Sequence, residues 1–568
     1  MIKLFLLVCF ALSSTVSVDL IQPAQLLCNS DTPQIELTVS VMDLCFSNGL
    51  SFTSRVYSAR YENESPPKPV QYAFGPTIIV KPGSRCSILF RNALPQPLVP
   101  CPHDRSITLN KYGCPETTNL HTHGLFVSPK QDDVSLAIQP GESHLYEFDI
   151  PNDHLMGTHW YHAHHHRSTA LHVQGGQVGV LLVEPSRNTQ IPGDLATLYS
   201  ERAQILLLQH WLFQNESGRF NQGFGLLGYP SLWSQASSPE SSLPLNANFT
   251  DSNSDFYTVN AQVAPVVHLA AGESTVLRLV HATGLRIIEL GMTNPLVAGC
   301  IWQILARDGV FLEEPLSVDT VVLFPGSRAD VAILCSSASA SLVTVAASPD
   351  LRLDPYICTN DDCTSRQVQS VVWSFSIDPG QTFIPIPTSL LPANQYPKYL
   401  QNLLLSTELV DVKLLYGDPD QLQLQSGDAS QNGLNANGQQ FDQSMSIAEI
   451  STNSAYRIQL FWRNATLAHP YHQHIVPFQL DILSNLVGGV LATRGEWRDV
   501  FPQLVGHSNV AVNMLFSPQR FSGEMVFHCH IFEHEDNGMM GFYQISPSSI
   551  MNFWGWYFVL SLLGLVIN

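Results

Sequence analysis

Between residues 19 and 548 the apolar positions come in short β-branched and aromatic runs, such as Val178 to Val183 and Thr275 to Val280, broken repeatedly by Gly, Pro, Asn and Asp. Apolar spacing of helical period over several turns is scarce. A short strand has an apolar face that a second sheet must cover, so this pattern predicts an all-β chain of sandwiches or barrels in series. A chain of 568 residues has room for three units of about 150 residues each. Composition shifts after Glu184-Pro185, and again over Pro379 to Pro397, where proline recurs in PGQTFIPIPTSLLPANQYP without strand alternation. These shifts predict domains at 19–190, 200–380 and 398–548. Two stretches rich in Ser, Asn, Gln and Gly, from about Asn215 to Phe256 and from about Gly417 to Gln443, read as long surface loops.

The two ends have a different pattern. Residues 1–18, MIKLFLLVCFALSSTVSV, place Lys3 ahead of an apolar run and then small residues, as a secretory signal peptide does. Sequons at Asn63, Asn215, Asn248 and Asn464 agree with export through a glycosylating lumen. Residues 550–567 are apolar and uncharged, at about the minimum length for a bilayer. No Lys or Arg follows this tail, and Ser548 and Ser549 precede it, which favours a cleaved lipid-anchor signal over a permanent span, although the polar spacer of such a signal is nearly missing. A buried terminal strand is the remaining reading. The expected location is therefore the extracellular face of the cell surface, with membrane attachment through the tail.

Charge and cysteine content narrow the picture. Lys and Arg number 27 against 47 Asp and Glu, a net charge of −20 that argues against nucleic acid and gives a surface attractive to cations. Of 11 cysteines, Cys9 leaves with the signal and Cys529 is claimed by the chemistry below. In an oxidising compartment most of the others should pair, with Cys358–Cys363 and Cys101–Cys114 as local possibilities and one left over.

The chemistry lies in the histidines. The 21 in this chain would give about one His-x-His by chance, yet five occur, in HTHG at His121 to Gly124, HWYHAHHH at His159 to His166, HPYHQH at His469 to His474, and HCH at His528 to His530. On a strand, residues i and i+2 project from one face, so each pair offers two imidazoles side by side, a spacing suited to neighbouring metal ions. Copper, zinc and iron all accept such ligands; eight imidazoles without a carboxylate favour copper clusters over magnesium or calcium. In HCHIFEHEDNGMMG, His528 and His530 face one way and Cys529 the other, so one strand touches two metal sites. A thiolate, two imidazoles and a long axial methionine describe a blue-copper electron-transfer centre; Cys529, His534 and Met539 supply three of these and His469 the second imidazole. Zinc has no redox use for a thiolate wired between two imidazoles.

These four motifs resemble the multicopper oxidase family, over nearly the whole mature chain, and HCHIFEHEDNGMM resembles most the branch of bacterial copper-efflux oxidases, bilirubin oxidases and spore-coat laccases. The resemblance implies three consecutive cupredoxin-like, Greek-key β-sandwich domains and four copper ions. It implies a type 1 copper on His469, Cys529 and His534 with Met539 axial, and a type 2 copper on His121 and His472. A binuclear type 3 pair falls to His123, His162, His164, His474, His528 and His530. The implied reaction takes single electrons from a reducing substrate and passes four of them to O2, giving water. Water formation consumes protons, and Glu535, after His534, and Asp132 or Asp133 are the acids the resemblance suggests as suppliers. Two departures from the family pattern are His165, His166 and Arg167, where a glycine is frequent, and Asn260-Ala261, where Asn-Gly is common. His166 shares strand parity with His164, which makes an outer contact to the metal conceivable, though a solvent-facing ring is the ordinary expectation. His159 has the opposite parity from His162 and reads as structural.

Loops around His469 and His534, rather than the copper ligands, choose the electron donor. Ferrous iron calls for carboxylates there, for which Glu533 and Asp536 are available, and an iron permease would then be the expected partner. A phenol or aromatic amine calls for an apolar bowl, for which Asn215 to Phe256 could supply walls. Cuprous ion ranks third, since only 10 methionines occur and no methionine-rich insert. A non-catalytic surface copper-binding protein is the reading from another class.

Overall fold

A computed structural model of the chain describes residues 18–46, 51–63, 74–97, 110, 113–185, 191–216, 219–222, 255–284, 287–292, 299–337, 339–345, 371–380, 382–392, 395–406, 408–417, 435–436, 441–461, 469–482, 489–502 and 512–547. The leader, the apolar tail and most of both surface-loop stretches lie outside these residues.

Among the described residues the strands form six sheets, two from residues 25–183, two from 203–378 and two from 409–546. In the first pair, strands Gln25–Cys28, Thr77–Val80, Val178–Val183, Gly157–His162 and His121–His123 lie side by side, and Ser51–Tyr61, Ile35–Cys45, Arg85–Asn92 and Ser143–Asp149 make the covering sheet. Arg85–Asn92 alternates buried and solvent-facing positions, with Cys86, Ile88 and Phe90 pointing into the core, as a strand with one wet face should. Val178–Val183 and Gly157–His162 are buried throughout. Gly157–His162 meets strands Thr275–His281 and Arg328–Cys335 of the middle sandwich, so its outer face is covered by protein and not by water.

The middle pair consists of a seven-stranded and a five-stranded sheet. The last pair sets Ala448–Ser451, Met540–Ser546, Gly523–Cys529, Pro470–Gln473 and Val500–Pro502 in one sheet, opposite a sheet that contains Ala455–Phe461 and Asn513–Phe516. The all-β sandwich expectation therefore holds. Helices are short: Thr169–Gln174, Gly193–Glu201 and Phe532–Asp536. Gly193–Glu201 connects the first sheets to the second.

Two disulfides tie strands together, Cys28–Cys86 in the first sandwich and Cys300–Cys335 in the second, the latter between directly paired residues. Cys114 is also disulfide-bonded. Its expected partner Cys101 lies outside the described residues, as do Cys358 and Cys363. Cys529 is buried and takes part in no disulfide.

Candidate metal centre

The edge strand His121–His123 of the first sandwich and the strands Pro470–Gln473 and Gly523–Cys529 of the last bring their motifs to one place. His121 pairs in register with His162, and His472 with His528. The i, i+2 argument describes His121 and His123, which share a strand. The other three motifs straddle strand ends: His162, Gln473 and Cys529 are the last strand residues, and His164, His474 and His530 follow them. Hydrogen bonds hold these three in place instead of strand pleat. The His164 N–H donates to Asn119 Oδ1 (2.7 Å), His474 N–H to Val526 O (2.8 Å) and His530 N–H to Pro470 O (2.8 Å).

Eight imidazoles converge there, each at most 3 % exposed. His164 Nε2 lies 3.0 Å from His528 Nε2 and 3.1 Å from His474 Nε2, and His530 Nε2 lies 3.4 Å from His123 Nδ1. The outward nitrogens are tied up as donors: Nδ1 of His162 to Ala163 O (2.9 Å), of His472 to Asp499 O (2.8 Å) and of His528 to Cys529 O (3.0 Å). The inward nitrogens are then bare lone pairs, and Nε2 of His121, His162 and His472 is buried with no hydrogen-bond partner. Burial, reinforced by neighbouring imidazoles, pushes His162, His164, His472, His474 and His530 well below the ordinary imidazole pKa, so the rings are neutral. Lone pairs aimed at one another across 3 Å repel unless a cation lies between them, which is how a set of metal ligands looks.

A second, separate set lies on the other side of Cys529. Its Sγ is 3.6 Å from Nδ1 of both His469 and His534, and those two nitrogens are 3.1 Å apart. A point equidistant from three such atoms is about 2 Å from each, the length of a metal–imidazole bond. Burial lowers His469 to a pKa of about 3. Met539 is wholly buried, and its backbone loops back to the same segment, its carbonyl accepting from Cys529 N–H (3.0 Å) and its own N–H donating to His534 O (2.9 Å).

Of the acids, Asp132 reaches the cluster. Its Oδ2 takes the His121 Nδ1 proton (2.7 Å) while Oδ1 accepts from the Thr122 amide and hydroxyl. Asp133 points elsewhere and bonds Ser135 N and Oγ. Glu535 is fully buried between two of the imidazoles, 3.4 Å from His164 Nδ1 and 3.2 Å from His528 Nδ1, and accepts from Thr169 Oγ1 (2.9 Å). Burial and the neighbouring Asp536 raise its pKa well above the carboxylate range.

Glu533 and Asp536, the carboxylates considered for ferrous iron, do not face solvent. They are 3 % and 2 % exposed. Asp536 accepts from the Thr169 and Ala170 amides that open helix Thr169–Gln174, and burial raises Glu533 to a pKa of about 8. His166 is half-buried, bonded to Asn110 Oδ1 (3.0 Å) and packed on Phe441. Strand parity does not govern it, because the strand stops at His162 and Arg167 turns with φ +83°. His159 is buried beside Gly124 and Gly309 with both ring nitrogens lacking a hydrogen-bond partner.

Sequence reasoning missed Asp499 and Arg328. Asp499 Oδ1 accepts from His123 Nε2 (3.4 Å), and both carboxylate oxygens bind the Arg328 guanidinium (2.7 and 2.6 Å). Neither residue belongs to a histidine motif, and an isolated Asp or Arg in sequence reads as surface charge.

Two multicopper oxidase family models match the chain, at residues 81–188 and 415–549. A multicopper oxidase of Staphylococcus aureus is 23% identical over 478 residues, 82% of this chain and 81% of that protein. A laccase of Bacillus subtilis is 25% identical over 491 residues, 82% and 87% of the respective chains. The fold is similar to a Campylobacter jejuni multicopper oxidase described as a metallo-oxidase, with TM-score 0.64, 19% identity and 94% and 96% coverage. It is equally similar to a laccase-like multicopper oxidase of a lignin-degrading Ochrobactrum with oxidase activity towards lignin model compounds, with TM-score 0.64, 19% identity and 93% and 100% coverage.

Proposed function

We propose that this chain, a copper-dependent oxidoreductase of the multicopper oxidase family that uses O2, holds four coppers and couples four one-electron oxidations of a diffusible donor to the reduction of one O2 to two H2O. His469, Cys529 and His534, with Met539 beside them, would hold the type 1 ion. His121 and His472 would hold type 2. His123, His162 and His530, with His164, His474 and His528, would hold the type 3 pair. The observation that carries this reading is Cys529, whose side chain enters the three-donor site while its two neighbours enter the eight-imidazole site.

Copper bound in these two places would supply one-electron redox capacity, one electron at the Cys529 site and three at the imidazoles, together the four that reduction of one O2 to two H2O consumes. The residues do the rest. The two peptide bonds on either side of Cys529 make the shortest covalent path between the sites. Asp132 fixes His121 by taking its outer proton. The four protons that water formation consumes need carriers in a site closed to bulk water; Glu535, raised in pKa and in reach of the His164 and His528 imidazoles, is the first candidate, and Asp132, bonded to His121, is the second.

For the donor we favour a phenol or aromatic amine. Burial of Glu533 and Asp536 takes away the carboxylates next to His534 that a ferrous ion would need. The laccase relatives agree with this ranking. A metal-ion donor is the second reading, supported by the metallo-oxidase neighbour, and in that case an iron permease would be the natural partner. Cuprous ion follows. Signal-like residues 1–18, the disulfides and the apolar 550–567 support a secreted enzyme tethered at the cell surface. The test is oxygen uptake by the copper-loaded protein, comparing kcat/KM for a bulky phenol with that for ferrous iron. Preference for the phenol supports the first reading and preference for iron the second; uptake with neither, nor with cuprous ion, leaves a non-catalytic copper-binding protein.

A further inference from the structure

Among the described residues the middle sandwich contributes no side chain to either candidate site, yet one of its turns reaches the cluster by two routes, directly at His530 and through Asp499. Residues 324–328, FPGSR, join strands Thr320–Leu323 and Arg328–Cys335. The turn is closed by Phe324 N to Ser327 Oγ (2.8 Å) and Ser327 N to Phe324 O (2.9 Å). It is pinned to the end of strand Thr275–His281 by Gly326 N to His281 O and His281 N to Ser327 O, both 3.0 Å. At its tip, Gly326 has φ +83°, and a Cβ there would run into the ring of His530.

Arg328 is the second contact. Its side chain is wholly buried and its donors reach all three sandwiches: Nε to Thr158 O in the first (3.2 Å), Nη1 to Gly326 O in its own (3.1 Å), and Nη1 and Nη2 to the Asp499 carboxylate in the last. Asp308, also of the middle sandwich, holds the Asp499 and Val500 amides through Oδ2 (3.3 and 3.4 Å). Asp499 is therefore fixed at its carboxylate and its amide by residues of another sandwich.

Asp499 in turn sets two rings. Its carbonyl accepts a hydrogen bond from His472 Nδ1–H, leaving Nε2 inward, and its carboxylate accepts one from His123 Nε2–H, leaving Nδ1 inward towards His530. His123 thus presents the opposite nitrogen from His162, His472 and His528, and the acceptor that enforces this choice is Asp499. The His123–His472–Asp499 grouping could suggest Asp499 as a metal ligand, but both of its oxygens are engaged by Arg328.

We infer that the Phe324–Arg328 turn and Asp499 are a positioning device by which the middle sandwich fixes the ring orientations of His123 and His530, so that copper loading of the cluster, but not of the Cys529 site, depends on it. This rests on the four-copper reading. The test uses the full chain, loaded with copper, with copper per chain measured by mass spectrometry, the blue thiolate absorption reporting the Cys529 site and electron paramagnetic resonance reporting type 2. Asp499→Asn and, as a second route, Gly326→Ala are expected to keep the blue absorption while losing cluster copper or altering the type 2 spectrum. Glu496→Gln loosens the same buried junction, where Glu496 joins Arg307 (2.9 Å) and Arg498 (2.8 Å), but touches no imidazole; it is expected to leave both signals as in wild type. Wild-type copper content and spectra in Asp499→Asn and Gly326→Ala would overturn the inference, as would an equal loss in Glu496→Gln. Wild-type protein that binds copper only at the Cys529 site would instead overturn the four-copper reading.

Discussion

At the scale of the single residue, Cys529 has the sharpest prediction. Cys529→Ser is expected to abolish the blue absorption and turnover while copper stays on the eight imidazoles, none of which touches Sγ; retention of turnover, measured as oxygen uptake, would rule out electron entry at this residue. Glu535→Gln keeps the hydrogen bond from Thr169 but has no proton to give, so kcat should fall by about 10²-fold or more with copper content unchanged. Glu533 offers a pH test in the copper-free protein. Its folded pKa of about 8, raised by burial and then by Asp536, lies above the value of a free glutamate, so the folded state binds the extra proton and stability is lost as pH rises through that window. Glu533→Gln should flatten the fall in unfolding midpoint up to about pH 8, measured by thermal unfolding. The histidines and Cys529 were legible in the sequence because metal ligation repeats one residue type at fixed spacing. Asp132 could not be told from Asp133, since which carboxylate points inward depends on a turn, and Asp499 left no local trace because its role comes from residues far away in sequence.

Strands and turns were legible where alternation or a fully apolar run marked them, as in Arg85–Asn92 and Val178–Val183. Their ends were not. The strands stop one or two residues short of His164, His474 and His530, and strand parity does not reach His166, because strand termination depends on bonds such as Asn119 to His164 that sequence does not display. The departure at Asn260-Ala261 does have a local meaning. Asn260 and Ala261 have φ +50° and +64°, between the mutual hydrogen bonds of Val259 and Gln262, a turn that asks for glycine at its second position. Left-handed backbone costs an alanine about 1–2 kcal/mol, while the extra freedom of an unfolded glycine costs about 0.4–1 kcal/mol. Ala261→Gly should therefore stabilise the protein by about 0.5–1 kcal/mol in denaturant unfolding, with activity unchanged.

For the whole molecule, the pattern of short apolar runs suggested an all-β chain, and the sheets among the described residues fall into three sequence blocks. How those blocks close on one another was hidden, because the contacts that join them, Arg328 to Asp499 above all, are between sequence-distant charges. The first and last sandwiches share the cluster, so on the four-copper reading copper would bind the folded assembly and hardly the unfolded chain. Stripping copper with a chelator should lower the unfolding midpoint and separate the transitions of the sandwiches in calorimetry, and adding copper back should restore a single higher transition; a free copper concentration of 100 times Kd corresponds to about 2.7 kcal/mol per site. An unchanged midpoint would mean that the junction is set by protein contacts alone.

The division of the cluster between the two ends of the chain also imposes an order in time. His121, His123, His162 and His164 leave the ribosome about 300 residues ahead of their partners, a lead of roughly 15–60 s at ordinary rates of synthesis. For that interval the nascent protein displays half a binding site, attractive to zinc or to any other ion that accepts imidazole. On the four-copper reading, copper would bind only after the last sandwich has folded, which makes fidelity for the right metal as much a matter of when the ion arrives as of the side chains that await it.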